Sequence, residues 1–336
     1  MEDTSTKLSA RKIILSGLRP TGALHIGNYF GALLPLVNLQ DKVDEFFIMI
    51  ADLHALTTLY NSKYLKKNTL NLATIFIAAG IDPEKSTIFV QSHVKEHAEL
   101  ANILSMVTPV SMLELNPTYK EMRQEHPKNN NLGLLAYPVL QAADILIYKA
   151  THVPVGKDQA PHIEITREIA RRFNDRFNHV FPEPKTVLQK ESKIFSLQNP
   201  NKKMSKSHGK NSCIGLLDFP DEIRKKIKTA VTDSGKEIIF EPDKKPAISN
   251  LITIYNLFSG KSIKEIEKIY KGKNYAEFKK DLAEIIIKGL NPLQKKYAEL
   301  EKNKNYVKEI LKAGEEKARN VASQTIKEVK EKIGFL

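Results

Sequence analysis

The chain has 336 residues, 41% of them apolar and 27% charged, the balance of a globular protein long enough for a large buried core and two structural units. Its formal net charge is +13, with 25 basic against 20 acidic residues up to position 207 and 27 against 19 beyond it, so positive charge is denser in the second stretch and favours a polyanionic partner. One cysteine, Cys213, excludes an internal disulfide and a cysteine-rich zinc site, no run approaches the roughly 20 apolar residues that span a bilayer, and the N-terminus lacks the apolar segment of a signal peptide, which leads to the expectation of a cytoplasmic protein with no membrane partner.

The run Lys12 to Leu15 reads as a strand, Gly17, Pro20 and Gly22 punctuate a turn, and Gly27 opens an amphipathic helical stretch through Asn38. A helix start presents unpaired N–H groups and a positive dipole end, which suits phosphate. Glycine at 17 and 27 lets a nucleotide approach the backbone, and His25 and Asn28 offer it neutral hydrogen bonds. Taken alone, an ordinary tight turn capped by a histidine explains these residues as well.

Further along, Phe46 to Ile50 and Thr87 to Val90 read as buried parallel strands, separated by a helix over Tyr64 to Ala79 that stops at Gly80. This alternation predicts an α/β protein with a doubly wound, Rossmann-like parallel sheet, whose ligands bind at the C-terminal ends of the strands. His93 and His97 read as a surface pair at a helix start, and no histidine cluster has metal-ligand spacing. The apolar stretch Ala101 to Leu115 suits either a dimer interface or core packing.

Tyr137, Gln141 and Asp144 recur at i, i+4 and i+7 on one face of an otherwise apolar helix. A carboxylate there needs a hydrogen-bond partner, which an indole N–H or a phenol O–H would supply; a polar stripe in solvent is the alternative. Val153 to Gln159 follows, with Gly156 at a strand end and Asp158 able to accept from ribose hydroxyls, although a turn with an acidic helix cap would look the same.

Lys203-Met204-Ser205-Lys206-Ser207, preceded by Asn199-Pro200-Asn201, forms a cationic loop able to close on a triphosphate. Beyond it the period is helical at Pro220 to Val231, Ile248 to Leu257, Ser262 to Tyr270, Tyr275 to Leu290, Leu293 to Lys302 and Glu315 to Ile333, with breaks at Gly260, Gly272 and Asn291-Pro292. We therefore expect a catalytic domain over 1–207, a C-terminal all-helical domain over 208–300, and a last helix within 301–336 packing back on the first domain.

The pair formed by Pro20 to Asn28 and Lys203 to Ser207 resembles the two ATP signatures of class I aminoacyl-tRNA synthetases, with His25 kept and Asn28 in place of a second histidine. Adding Gly27-Asn28-Tyr29, Ala142 to Leu146, Val153 to Gln159, Ala230 to Ser234 and Ile248 to Leu251, the chain resembles the bacterial-type tryptophanyl-tRNA synthetases collinearly from about Lys12 to the C-terminus. The resemblance implies a homodimer that joins L-tryptophan to ATP, with Mg²⁺ carried by the ATP and no metal held by the protein, and then charges tRNA(Trp) through the helical domain. Arg19, Pro20, Thr21, Gly27, Asn28, Gly156, Lys157, Asp158, Ile194, Lys203, Met204, Ser205, Lys206 and Ser207 would contact ATP.

On the same basis Asp144 would accept the indole N–H, Leu15, Val153 and Val155 would wall the ring, and His54, Tyr137, Gln141 and Gln159 would line or order the amino-acid pocket. The substrate carboxylate is already the nucleophile, so catalysis falls to positioning and charge stabilisation by His25, Asn28, Lys203 and Lys206. Three positions depart from the family pattern: Leu15 where many members have Phe, Gln141 where many have Met, and Lys157 where Glu is common. Tyrosyl-tRNA synthetases share the fold and a Tyr-x-x-x-Gln-x-x-Asp helix, but they commonly carry a tyrosine where Leu15 stands, so tryptophan is the expected substrate. Lys225, Lys226, Lys228, Lys244 and Lys245 are candidates for the tRNA surface.

Overall fold

The structure, a computed structural model, describes residues 11–57, 62–125, 130–156, 159–188, 193–206 and 209–336. Strand β1 (Ile13–Leu18) leads through a loop into a helical stretch that runs as α1 (Ile26–Asn28), a π-helical segment Tyr29–Leu33, and α2 (Leu34–Val37). Then follow β2 (Glu45–Ile50), α3 (Asp52–Ala55), α4 (Leu65–Ala78), β3 (Thr87–Val90), α5 (Glu96–Ser105), α6 (Val110–Glu114), α7 (Pro117–Glu125), α8 (Leu132–Leu146), β4 (His152–Val155), α9 (Ala160–Phe177) and β5 (Lys185–Leu188). The remainder is helical: α10 (Pro220–Lys228), α11 (Pro246–Ser259), α12 (Ile263–Ile269), α13 (Tyr275–Lys302) and α14 (Lys304–Ile333).

All five strands are parallel, in the order β3-β2-β1-β4-β5. The chain builds outward from β1 to β3 and then returns to place β4 on the other side of β1, so a crevice opens beyond the C-terminal ends of β1 and β4. Successive strand residues face opposite sides of the sheet. Ile14, Phe46, Ile48 and Ile88 enter a core shared with α4 and helices α10 to α13, while Leu15, Phe47, Met49 and Phe89 enter a second core covered by α5, α8, α9 and α14. Because both faces are covered, residues 46–50 of β2 and 88–90 of β3 are apolar without a break and do not alternate with polar residues.

The helical half departs from expectation at Asn291-Pro292, where no break occurs and α13 runs straight through Pro292. The missing proline N–H deprives the carbonyl of Lys288, which is exposed and can turn to water, while Leu290 and Leu293 on the inner face stay buried. Helix α14 is longer than expected and lies against β3 and α5, where Ser323 Oγ donates to Glu96 (2.9 Å), and Lys330 and Lys149 pair with Glu99 (2.5 Å) and Glu328 (2.6 Å). Strand β5 was not anticipated, because Lys185–Leu188 is a short, half-exposed sheet edge with little apolar signal.

The stretch Ala101 to Leu115 is mixed in burial. Leu104 and Leu113 are buried, whereas Met106, Val110 and Leu115 are 70%, 59% and 69% exposed. Among the described residues, no helix is long and apolar enough to cross a membrane.

Candidate active site

The phosphate end of the site is built by the first turn of the helical stretch after β1. His25 caps it reciprocally: the Asn28 N–H donates to His25 Nδ1 (3.3 Å), and the His25 N–H donates to Asn28 Oδ1 (3.1 Å). With Nδ1 used as acceptor, the proton of the neutral ring sits on Nε2, which is left as a donor. Burial first, then the charges of Lys206 and Lys203, push the His25 pKa down to about 4, so the ring is neutral at physiological pH.

The glycines prove to serve the protein's own packing as much as any ligand. A Cβ at Gly27 would stand 3.0 Å from the His25 ring, and one at Gly17 would stand 2.7 Å from the Met49 carbonyl in β2.

The lysine loop is docked against this turn. The Met204 N–H donates to the Ile194 carbonyl (3.0 Å), Lys203 bridges to Phe195, and Ser212 Oγ donates to the Ser205 carbonyl (2.6 Å). Beyond the loop, the Ile26 N–H donates to the Ile214 carbonyl (3.0 Å) and the Leu216 N–H to the Leu24 carbonyl (3.0 Å), which ties the two motifs together as an antiparallel pair.

Two motifs from the helical half support that arrangement. Asn250 brackets Phe195, donating to its carbonyl (3.0 Å) and accepting from its N–H (2.9 Å). Asp233 accepts from the Ile248 and Ala247 N–H groups (2.8 and 3.2 Å) at the start of α11. His25, Asn28, Lys203 and Lys206 are thereby gathered at one place. Ile194 and Met204 lie in the core beneath the loop, 2% and 3% exposed, and support it from below.

At the crevice between β1 and β4 lies a cavity of about 430 Å³. All eight residues expected around the amino acid line it: Leu15, His54, Tyr137, Gln141, Asp144, Val153, Val155 and Gln159. Of those expected around ATP, Arg19 and Gly156 line the same cavity, while Pro20 and Thr21 do not. Lys157, Asp158 and Ser207 lie outside the described residues. Gly31 and Ala32 of the π-helical segment also reach the cavity, the kind of place where such segments recur.

The polar end of the cavity is organised around Asp144, which is 1% exposed. Gln91 Nε2 donates to both of its oxygens (2.9 Å each), His54 Nε2 lies 2.7 Å from Oδ2, and His97 Nδ1 lies 2.6 Å from Oδ1. Gln91 is itself fixed, since its Oε1 accepts from the Leu53 and His54 N–H groups (3.1 and 3.3 Å). Burial opposes the charge on Asp144, but His54 foremost, and then His97, outweigh it and hold the carboxyl well below the usual carboxylate range. Across the cavity the Tyr137 hydroxyl meets His162 Nε2 at 2.7 Å.

Gln91, His97, Tyr148 and His162 were not foreseen. His97 in particular is fully buried and is no surface partner of His93; the signal that would have revealed it is its place on the apolar face of α5 with Leu100 and Leu104, at i, i+3 and i+7. Among the described residues, no group of three or more His, Cys, Asp or Glu could hold a metal ion.

A cavity at the switch point of a parallel sheet, beside a helix start and two lysines that offer donors to an anion, defines a nucleotide-binding doubly wound α/β protein. The family described as tRNA synthetases class I (W and Y) matches residues 7–291, and the chain belongs to that family. It is 48% identical to the tryptophan–tRNA ligase of Caldanaerobacter subterraneus subsp. tengcongensis, over 97% of this chain and 99% of that protein. Its fold is similar to the crystal structure of tryptophanyl-tRNA synthetase from Campylobacter jejuni complexed with ADP and tryptophan, at a TM-score of 0.84 and 38% identity, covering 96% of this chain and all of that one. Tyrosyl-tRNA synthetase from Aeropyrum pernix is similar in fold alone, at a TM-score of 0.67 and 19% identity over 91% of this chain and 90% of that one.

Proposed function

We infer that the chain is a tryptophan–tRNA ligase, which joins L-tryptophan to ATP as tryptophanyl-adenylate and then esterifies tRNA(Trp). The observation that carries this reading is one cavity with apolar walls (Leu15, Met49, Val153) and a charged acceptor, Asp144, at its end. An indole matches it, being an apolar ring with one N–H donor. A phenol would also ask for a donor to its oxygen, and Leu15 supplies none. The 48% identity to a tryptophan–tRNA ligase supports the same substrate.

In this reading the amino acid's carboxylate attacks the α-phosphorus of ATP, the bond to the bridging oxygen breaks, and pyrophosphate leaves. His25 Nε2–H and Asn28 meet the phosphates at the helix start, and Lys203 and Lys206 answer the charge that builds on the leaving group. Mg²⁺ enters with ATP as the counterion of the triphosphate. A terminal ribose hydroxyl of the tRNA then attacks the adenylate carbonyl, and AMP departs. Residues 208–300 are assigned to the tRNA on their charge, the exposed Met106, Val110 and Leu115 to a second copy of the chain in a homodimer, and the place of action to the cytoplasm.

The test is ATP–pyrophosphate exchange with tryptophan, tyrosine and phenylalanine offered singly. Exchange that depends on tryptophan is expected, and exchange with tyrosine in its place would overturn the assignment.

A further inference from the structure

Behind Asp144, away from the cavity, stands a pair of groups to which no role has yet been given. We propose that Tyr148 and His97 are positioning residues for amino-acid recognition, a buried hydroxyl–imidazole relay that sets Asp144 as the acceptor for the ring N–H of the substrate. The proposal rests on the reading of the cavity as the indole site.

The direction of each hydrogen bond in the relay follows from its partners. Tyr148 is 1% exposed, and among the described residues its hydroxyl has one hydrogen-bond partner, His97 Nε2, at 2.8 Å. Burial, with Asp144 and Glu96 adding to it, raises the phenol well above its usual pKa, so the hydroxyl keeps its proton and donates it to Nε2. The ring proton of His97 is therefore on Nδ1, which faces Asp144 Oδ1 at 2.6 Å. The opposite tautomer would set two lone pairs against each other at that distance. Packing fixes the hydroxyl, since the Tyr148 ring stacks on Phe47 (centroids 4.4 Å apart) and meets Phe89 edge-on (5.5 Å).

The three donors around Asp144 also differ in their access to ligand. Gln91 and His97 are fully buried and do not line the cavity, whereas His54 lines it. Oδ1 is thus committed to Gln91 and His97, and Oδ2, shared by Gln91 and His54, is the oxygen an incoming N–H can reach. The relay and Gln91 keep the carboxylate from turning, and an incoming N–H reaches Oδ2 by taking the place of the hydrogen bond from His54, the one donor of the three that lines the cavity.

The relay is tested by steady-state pyrophosphate exchange with the full-length chain and the variants Tyr148→Phe, His97→Leu, His97→Asn and Asp144→Asn. Tyr148→Phe keeps the stacked ring and removes only the hydroxyl. It and His97→Leu should raise the KM for tryptophan about tenfold, the scale of one unpaired buried partner, with kcat and the KM for ATP held within about twofold. His97→Asn, whose amide N–H can replace Nδ1–H, should recover most of the loss. If Asp144→Asn raises the tryptophan KM while Tyr148→Phe and His97→Leu leave it unchanged, the relay is idle and the proposal is wrong. Equal losses in kcat and in both KM values would mark the pair as structural and would also overturn it. An unchanged tryptophan KM in Asp144→Asn would instead overturn the reading of the cavity on which the relay depends.

Discussion

Gly314 of α14 sits directly over the carbonyl of Ile88 in the edge strand β3, so close that a Cβ there would overlap the backbone. A helix normally gains from Gly→Ala by roughly 0.5–1 kcal/mol. Here the obstacle is a carbonyl held in a sheet, which cannot rotate aside, and forced overpacking costs about 1–3 kcal/mol. Gly314→Ala should therefore lower the unfolding free energy by about 2 kcal/mol, read as a lower urea midpoint at unchanged slope. A higher midpoint would mean that α14 is not seated on β3 in this way.

His25 makes the stability of the free protein depend on pH. Its folded pKa of about 4 lies below the ordinary value of 6.5. Between these values the unfolded chain takes up a proton that the folded chain refuses, so this contribution is complete above pH 6.5 and is lost as pH falls towards 4. The difference in stability between the wild type and His25→Asn should shrink through that window and stay flat from pH 7 to 8. A difference independent of pH would show that His25 is freely protonated in the folded protein.

Lys206 is exposed beside the His25 turn and should act mainly on charge that develops as pyrophosphate leaves. Lys206→Ala should slow adenylate formation by roughly 10²–10³-fold, the cost of losing one preorganised charge donor, and leave tryptophan binding without ATP nearly unchanged. Rapid-quench measurement of the adenylate beside equilibrium titration of tryptophan separates the two; equal losses would refute the assignment.

Of the five lysines suggested for the tRNA surface, two are engaged within the protein. Lys226 pairs with Asp218 at 2.5 Å, and Lys245 pairs with Glu237 at 3.4 Å. Lys225, Lys228 and Lys244 are exposed, so their joint replacement by Gln should weaken tRNA charging and flatten the salt dependence of tRNA binding by about one unit of slope for each lysine that meets a phosphate. Pyrophosphate exchange without tRNA should be unaffected. Charging that survives intact would place the tRNA elsewhere.

The parallel sheet and one face of the cavity were legible because they rest on local pattern, whereas Leu15, His54, Val153, Val155 and Gln159 were placed at the cavity only through the family resemblance. Phe46 to Ile50 and Thr87 to Val90 are apolar runs bounded by breakers, and Tyr137, Gln141 and Asp144 fall on one helix face by spacing alone. What stayed hidden depends on contacts distant in sequence. His97 looks polar until α5 is laid against α8, and Pro292 looks like a stop until the inner face of α13 is seen to be held by Leu290 and Leu293. Gly17 and Gly27 were read as openings for a ligand, but their nearest constraints are the Met49 carbonyl and the His25 ring, partners that no local pattern names.

The apolar interior on one face of the sheet is continuous from Ile14, Phe30 and Phe76 to Ile214, Ile248, Phe278 and Ile286. On this face of the sheet the C-terminal helices therefore share one interior with the strands and α4. Severing the chain after position 207 would strip water-excluding cover from the turn that carries His25. Heat should act in the same undivided way, so that the two half-reactions, adenylate synthesis and transfer to tRNA, fail at one melting temperature.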